Sequence, residues 1–277
     1  MARIEVRRQR ARLGRGLFAL AALWFGFLGL MAPAPPARAT GGAVITNGTV
    51  GLGVHNEGHL IIPSEIRSAG GELRFGLRLL QGQFESLSPG CDCEGWGIAD
   101  PDAGISGDAN ESNGGVHNLT PISFAATPTS ADSVVKLDDL FEIRHHYFPS
   151  PATRFLYECQ VTVKNISSKR VGQFLYRRLM DWDVEPTPFR EFVTIQRGTA
   201  AALVFSSDDG FGEADPLQAL DEIEEGTLNT SFEDSGPADH GAAFDFSFLN
   251  LDPGASQTFS IFYGAAPTEA EAEGALW

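Results

Sequence analysis

The sequence predicts an all-β protein, a single large antiparallel β-sandwich with two short helices. Two observations carry this. Apolar residues recur at every second position along several segments, the signature of strands with one buried face. The segments are short and separated by Gly, Pro, Asn and Asp, the residues that turn a chain. No alternation of strand with helix appears, which removes the parallel α/β folds.

The N-terminus comes first. Six arginines, Arg3, Arg7, Arg8, Arg10, Arg12 and Arg15, precede an apolar stretch from Leu17 to Ala32. Pro33-Ala34-Pro35-Pro36 follows, then Ala37-Arg38-Ala39, a small-x-small cleavage pattern. That order predicts a signal peptide over residues 1–39 and an exported domain over 40–277. The apolar run is short for a membrane span, which needs about 20 residues. The proline break and the Ala-x-Ala favour cleavage over an uncleaved signal anchor. Gln9-Arg10 after Arg7-Arg8 favours ordinary secretion over a twin-arginine route.

The leader holds seven of the 20 basic residues and one of the 36 acidic ones, leaving 13 against 35 and a net charge of −22. Such a charge disfavours nucleic acid and anionic membrane as partners, since both are polyanions. It suits a secreted protein and the binding of cations. A hydrophobic content of 43% with 20 Phe is not a disordered composition.

The cysteines are Cys91, Cys93 and Cys159. In an exported chain the expectation is one disulfide and one free thiol. Cys91 and Cys93 are close for mutual pairing, so the expected bridge joins one of them to Cys159. Zinc is disfavoured by the Cys-x-Cys spacing.

Candidate strands run Ala43–Thr46, Leu60–Ile62, Leu73–Leu80, Val134–Leu137 and Phe141–Tyr147. In residues 155–164 the odd positions are apolar and the even ones mostly polar. Asn165-Ile166-Ser167-Ser168-Lys169 is a turn signal, and a strand from Val171 to Val184 follows, so the pair reads as a hairpin. Further strands are expected at Phe192–Gln196 and Ala202–Phe205. Phe244, Phe246 and Phe248, then Phe259, Ile261 and Tyr263, line one face each of the last two. Pro89 to Asn118, dense in Gly, Asp and Asn, reads as a long loop. One helix is expected from Asp215-Pro216, with Leu217, Leu220 and Ile223 on one face. A second is expected from Thr268, with Glu271 completing a capping box, to Trp277.

The segment richest in chemistry is Tyr176–Pro186. On a strand, Met180, Trp182 and Val184 point one way and Asp181, Asp183 and Glu185 the other. Three carboxylates on one face repel unless a cation, arginines or open water separates them. A Ca²⁺ ion takes six to eight oxygens, which Asp181, Asp183 and Glu185 with loop oxygens would supply. Asp100, Asp102, Asp108, Asn110 and Glu111 are candidates for those loop oxygens. The competing readings are a solvated acidic face balanced by Arg177, Arg178 and Arg190, and a glycosidase-like carboxyl pair.

His55 and His59 bracket Asn56-Glu57-Gly58, and a His-x₃-His spacing reads as a metal site mainly on a helix. The glycines here predict strand and turn, so ordinary hydrogen-bonded histidines are expected, as for His145-His146. Trp182 has core parity, while Trp96 in its loop is either core or a sugar-stacking surface. Asn-x-Ser/Thr sequons stand at Asn47, Asn110, Asn118, Asn165 and Asn229.

Four segments together resemble a group of uncharacterised secreted bacterial proteins, some of which end in a PEP-CTERM sorting signal. They are His55-Asn56-Glu57-Gly58-His59-Leu60, Cys93-Glu94-Gly95-Trp96-Gly97, the stretch Tyr176 to Gln196 containing Asp181-Trp182-Asp183-Val184-Glu185-Pro186, and Tyr263-Gly264-Ala265-Ala266. The resemblance spans most of residues 40–277 and implies one exported domain; it implies no activity. A C-terminal Pro-Glu-Pro motif, hydrophobic tail and arginine cluster are lacking, which implies release rather than anchoring. The chain stops inside its last helical pattern, as a shortened C-terminus would.

The expectation is therefore an exported, non-catalytic β-sandwich protein, stabilised by Ca²⁺ and binding glycan or cell-surface polymer. The alternative is a secreted carbohydrate-active enzyme that uses the Asp181/Asp183/Glu185 face.

Overall fold

The computed structural model describes residues 41–275, so the signal peptide expected at residues 1–39 lies outside the described residues. Two antiparallel sheets form the sandwich. The five-stranded sheet runs in the order Leu119–Ala126, Ala131–Leu137, Phe141–Pro149, Leu156–Asn165 and Ser256–Gly264. The six-stranded sheet runs Leu203–Ser207, Gly241–Leu251, Val171–Asp181, Gly95–Asp100, Ile105–Asn110 and Gly115–His117. A four-stranded sheet (Ala43–Thr46, Val50–Val54, Leu77–Leu79, Phe84–Glu85) and two short ladders complete the β structure. One ladder pairs Glu191–Ile195 with Phe232–Ala238. No helix among the described residues is long and apolar enough to cross a membrane.

The alternation does what the sequence predicts. Along Leu156–Asn165, Tyr157, Cys159, Val161 and Val163 are buried, and Phe141, Ile143, His145 and Tyr147 alternate inward beside them. Aromatic rings bridge the two sheets: Phe141 lies 5.7 Å from Phe174, Tyr176 meets Phe259 edge-on at 5.1 Å, and Phe248 stacks on Phe259 at 4.8 Å. Each such fully buried side chain contributes roughly 1.5–3 kcal/mol.

Four expectations need correction. The strands on either side of residues 165–169 are not a hairpin. Leu156–Asn165 pairs with Phe141–Pro149 and Ser256–Gly264, whereas Val171–Asp181 pairs in the other sheet with Gly241–Leu251 and Gly95–Asp100. The chain crosses between sheets at a corner built on buried Asn165, whose side-chain amide donates to the carbonyls of Lys169 and Leu251. Residues 89–118 are not a long loop; they contain three strands of the six-stranded sheet. The glycines there allow close approach, since a Cβ on Gly97 would collide with the Ala214 carbonyl and one on Gly107 would press on Leu119 at 2.9 Å.

Asp215-Pro216 begins a turn rather than a helix. The Arg177 guanidinium takes the carbonyls of Glu213, Asp215 and Gln218, which a helix would direct along its own axis. The disulfide joins Cys91 to Cys93, whose Cα atoms lie 5.2 Å apart, within the range a bridge spans. Cys159 is free and buried, alternating into the core between Tyr157 and Val161, and burial pushes its thiol up to about 12. The expected second helix is present as Glu269–Gly274, capped by Thr268, whose hydroxyl accepts from the Glu271 amide.

Candidate functional site

Val171–Asp181 is the central strand of the six-stranded sheet, and nearly all of its C-terminal half is buried. One face meets the core. The other is covered by Ala214 and Leu220, which pack with Leu179 and Ala243. Charges on this strand are therefore out of water and need partners. Arg177 pairs with Asp245 through two bonds of 2.7 and 2.8 Å. Arg178, fully buried, donates to Glu94 at 2.6 Å and to the Tyr147 hydroxyl at 3.0 Å. Glu94 also accepts from Tyr263 at 2.9 Å. Neither arginine balances the acidic segment that follows.

Beyond Asp181 the chain leaves the ladder but stays pinned. The Asp183 amide donates to the Ser86 carbonyl and the Glu185 amide to that of Glu85, at 3.0 and 2.9 Å. This brings Asp181 and Asp183 together with Asp239, so that one oxygen of each lies within 4.8 Å of the others. Asp239 arrives on the turn before Gly241–Leu251. That turn can close only on glycine, because a Cβ on Gly241 would strike the Met180 carbonyl. Glu191 approaches from the next ladder, with Oε1 accepting from the Val184 amide at 3.2 Å.

Asp183 is 0% exposed and Asp181 2%. Among the described residues, neither oxygen of Asp183 has a hydrogen-bond partner, and Asp181 Oδ1 and Glu191 Oε2 have none either. Asp181 Oδ2 touches Cys91 Sγ at 3.3 Å, but a disulfide sulfur has no hydrogen to donate. Burial, then repulsion from Asp183, raises the Asp181 carboxyl to about 9. Burial, reinforced by Asp239 and opposed by the nearness of Asp181 and of the Phe189 amide, neither placed to make a well-formed hydrogen bond, raises Asp183 to about 6. Burial, with Asp183 and Asp239 adding, raises Glu191 to about 7. Such a cluster favours either protons or a cation.

The third predicted ligand, Glu185, does not join the other two. Its carboxylate accepts from the Ser68 hydroxyl and the amides of Gly70 and Glu85, at 2.5, 2.9 and 3.0 Å. Three of the proposed loop residues are committed elsewhere as well. Asp108 pairs with His117, Asn110 caps a short 3₁₀ turn, and Glu111 faces His55 and His59. Asp239, which sequence reasoning missed, joins Asp181 and Asp183 instead, and Glu191, also missed, adds negative charge beside them; only the fold brings either near.

An apolar rim borders the acids. Phe189 is 46% exposed and Phe192, next to Glu191, is 59% exposed. A Cβ on Gly90 would meet the Phe189 ring at 2.7 Å and Asp183 Oδ2 at 3.0 Å, so ring and carboxylate adjoin. Phe189 adopts a φ of 68°, unusual for a bulky side chain. Trp96, by contrast, is core: it is fully buried and donates from its indole to the Glu57 carbonyl at 2.9 Å.

The sequence matches no known protein family and no curated protein.

Proposed function

We propose that this is an exported, non-catalytic β-sandwich protein that binds Ca²⁺ at Asp181, Asp183 and Asp239. With the ion in place it engages glycan or cell-surface polymer across the adjoining Phe189–Phe192 rim. The observation that carries the reading is Asp183, a fully buried carboxylate with two unpartnered oxygens beside two further aspartates. A buried charge without partners costs several kcal/mol, and an all-oxygen set of negative donors is the chemistry Ca²⁺ takes. The exposed phenylalanines support a partner surface, since apolar side chains beside polar groups mark interaction sites. The basic and apolar leader supports export.

The test is the unfolding temperature in millimolar Ca²⁺ and in EGTA. Binding to the folded state stabilises by about 2.7 kcal/mol at a hundredfold excess over Kd. A rise abolished by Asp183→Asn supports the site. No rise sinks it.

A second reading has its own support. Asp181 and Asp183 carry raised and separated pKa values of about 9 and 6, the pattern of an acid–base pair in a hydrolase. This reading predicts glycoside hydrolysis that is lost in both Asp181→Asn and Asp183→Asn and needs no Ca²⁺.

A further inference from the structure

The turn between Val54 and Leu60 carries two histidines whose placement the acidic cluster does not explain. An isolated bridge joins Val54 to Leu60, so His55 and His59 stand on the two arms of a tight turn with ring centroids 4.4 Å apart. A helix is one way to bring His-x₃-His together; a closed turn is another. Glu111, from the 3₁₀ turn Glu111–Asn113, reaches both rings. Its Oε1 lies 3.2 Å from His59 Nε2 and 3.9 Å from His55 Nε2. Glu57 bonds to His55 Nδ1, which leaves Nε2 facing Glu111.

The turn is held to both sheets. The Asn56 carbonyl accepts from the Ser133 hydroxyl at 2.6 Å, that of Glu57 from the Trp96 indole at 2.9 Å, and that of Gly58 from the Tyr147 hydroxyl at 2.7 Å. Gly58, at φ +85°, packs so close to His145 that a Cβ would come within 2.6 Å of its Nδ1. Three consecutive carbonyls fixed by buried side chains leave the histidines little freedom, as preorganised ligands require. His59 is fully buried and its Nδ1 has no partner among the described residues.

We propose that His55, His59 and Glu111 bind a divalent transition-metal ion, with Glu57 orienting His55. Two imidazoles and a carboxylate are a Zn²⁺ donor set, and a carboxylate on the far nitrogen of a ligating histidine is the usual support. Glu111, 40% exposed on its side chain, opens the site to solvent and leaves room for a non-protein ligand. This site shares no residue with the aspartate cluster and does not depend on it.

The experiment is calorimetric titration of Zn²⁺ into the purified, metal-stripped protein under non-reducing conditions, with His55→Gln, Glu111→Gln, Glu57→Gln and Asp183→Asn alongside. Both His55 and Glu111 reach solvent, so these variants keep the fold, and circular dichroism checks that they do. One saturable site is expected, weakened at least tenfold by His55→Gln and Glu111→Gln, by about 10–100-fold by Glu57→Gln, and unchanged by Asp183→Asn. Co²⁺ bound in its place should show the visible absorption of a low-coordinate ion and lose it in the same variants. No saturable binding, or binding that His55→Gln and Glu111→Gln leave intact, overturns the proposal. Zinc binding lost only in Asp183→Asn also overturns it, by assigning the ion to the aspartates.

Discussion

The middle of the strand Val171–Asp181 and the segment from its end to Asp183 treat buried charge in opposite ways. In the middle, Arg177 and Arg178 are buried and fully answered, by Asp245 and by Glu94 with Tyr147. Three and five residues beyond Arg178, Asp181 and Asp183 are equally buried and have almost no partners. The dielectric cost is the same in kind at both places. On the reading proposed above, the second pair is left bare because a cation takes the place of protein partners there. That difference supports the proposal: the arginines hold the sandwich, and the aspartates are the charges it assigns to a ligand.

The largest effect expected is in the paired region. Arg178→Met leaves Glu94 buried without its cation and should cost about 3–5 kcal/mol in denaturant unfolding, equally with Ca²⁺ and with EGTA. A loss that appeared only in EGTA would break the comparison. Next in size is the bare region, where Asp183→Asn should abolish a Ca²⁺ stabilisation of about 2.7 kcal/mol at a hundredfold excess over Kd.

Glu185→Gln sharpens the contrast. It weakens bonds to Ser68, Gly70 and Glu85 and should cost about 1–3 kcal/mol, yet leave the Ca²⁺ response in place. Losing that response would return Glu185 to the ligand set.

A pH dependence of the ion-free protein tests the same contrast by titration. Asp181 and Asp183 have folded pKa values raised above 3.8, to about 9 and about 6. Between the unfolded and folded values the native state binds more protons, so stability falls as pH rises through that window. Melting in EGTA should therefore drop from pH 5 to pH 9, by more in the wild type than in Asp181→Asn, which carries no charge at that position at the high-pH end. Ca²⁺ should flatten the slope. A slope identical in the two proteins would show that Asp181 does not titrate there.

Much of the fold was legible because burial leaves a period of two in the chain. Phe141–Tyr147 and residues 155–164 read correctly on that ground alone. Periodicity reports which face is buried, not which sheet a strand joins, so the crossover at Asn165 passed for a hairpin. Composition misled where glycine served packing: Gly95, Gly97 and Gly107 look like loop residues but lie in strands that abut other backbone or core side chains. The helix expected at Asp215 failed because a distant residue, Arg177, captures its carbonyls.

At the site, Asp181 and Asp183 were visible as alternating acids on a strand. Glu185 has the same parity and a different fate, since the strand ends at Asp181 and parity no longer dictates direction beyond it. Asp239 and Glu191 carried no local signal. The histidine turn was discounted for lacking a helix, although bridge pairing at Val54 and Leu60 performs the same juxtaposition.

The most direct test is Ca²⁺ titration calorimetry on the wild type, Asp183→Asn and Glu185→Gln. One saturable site in the wild type and in Glu185→Gln, absent from Asp183→Asn, is the predicted result. Absence of binding in the wild type, or equal binding in Asp183→Asn, would contradict the claim that the bare carboxylates are a cation site.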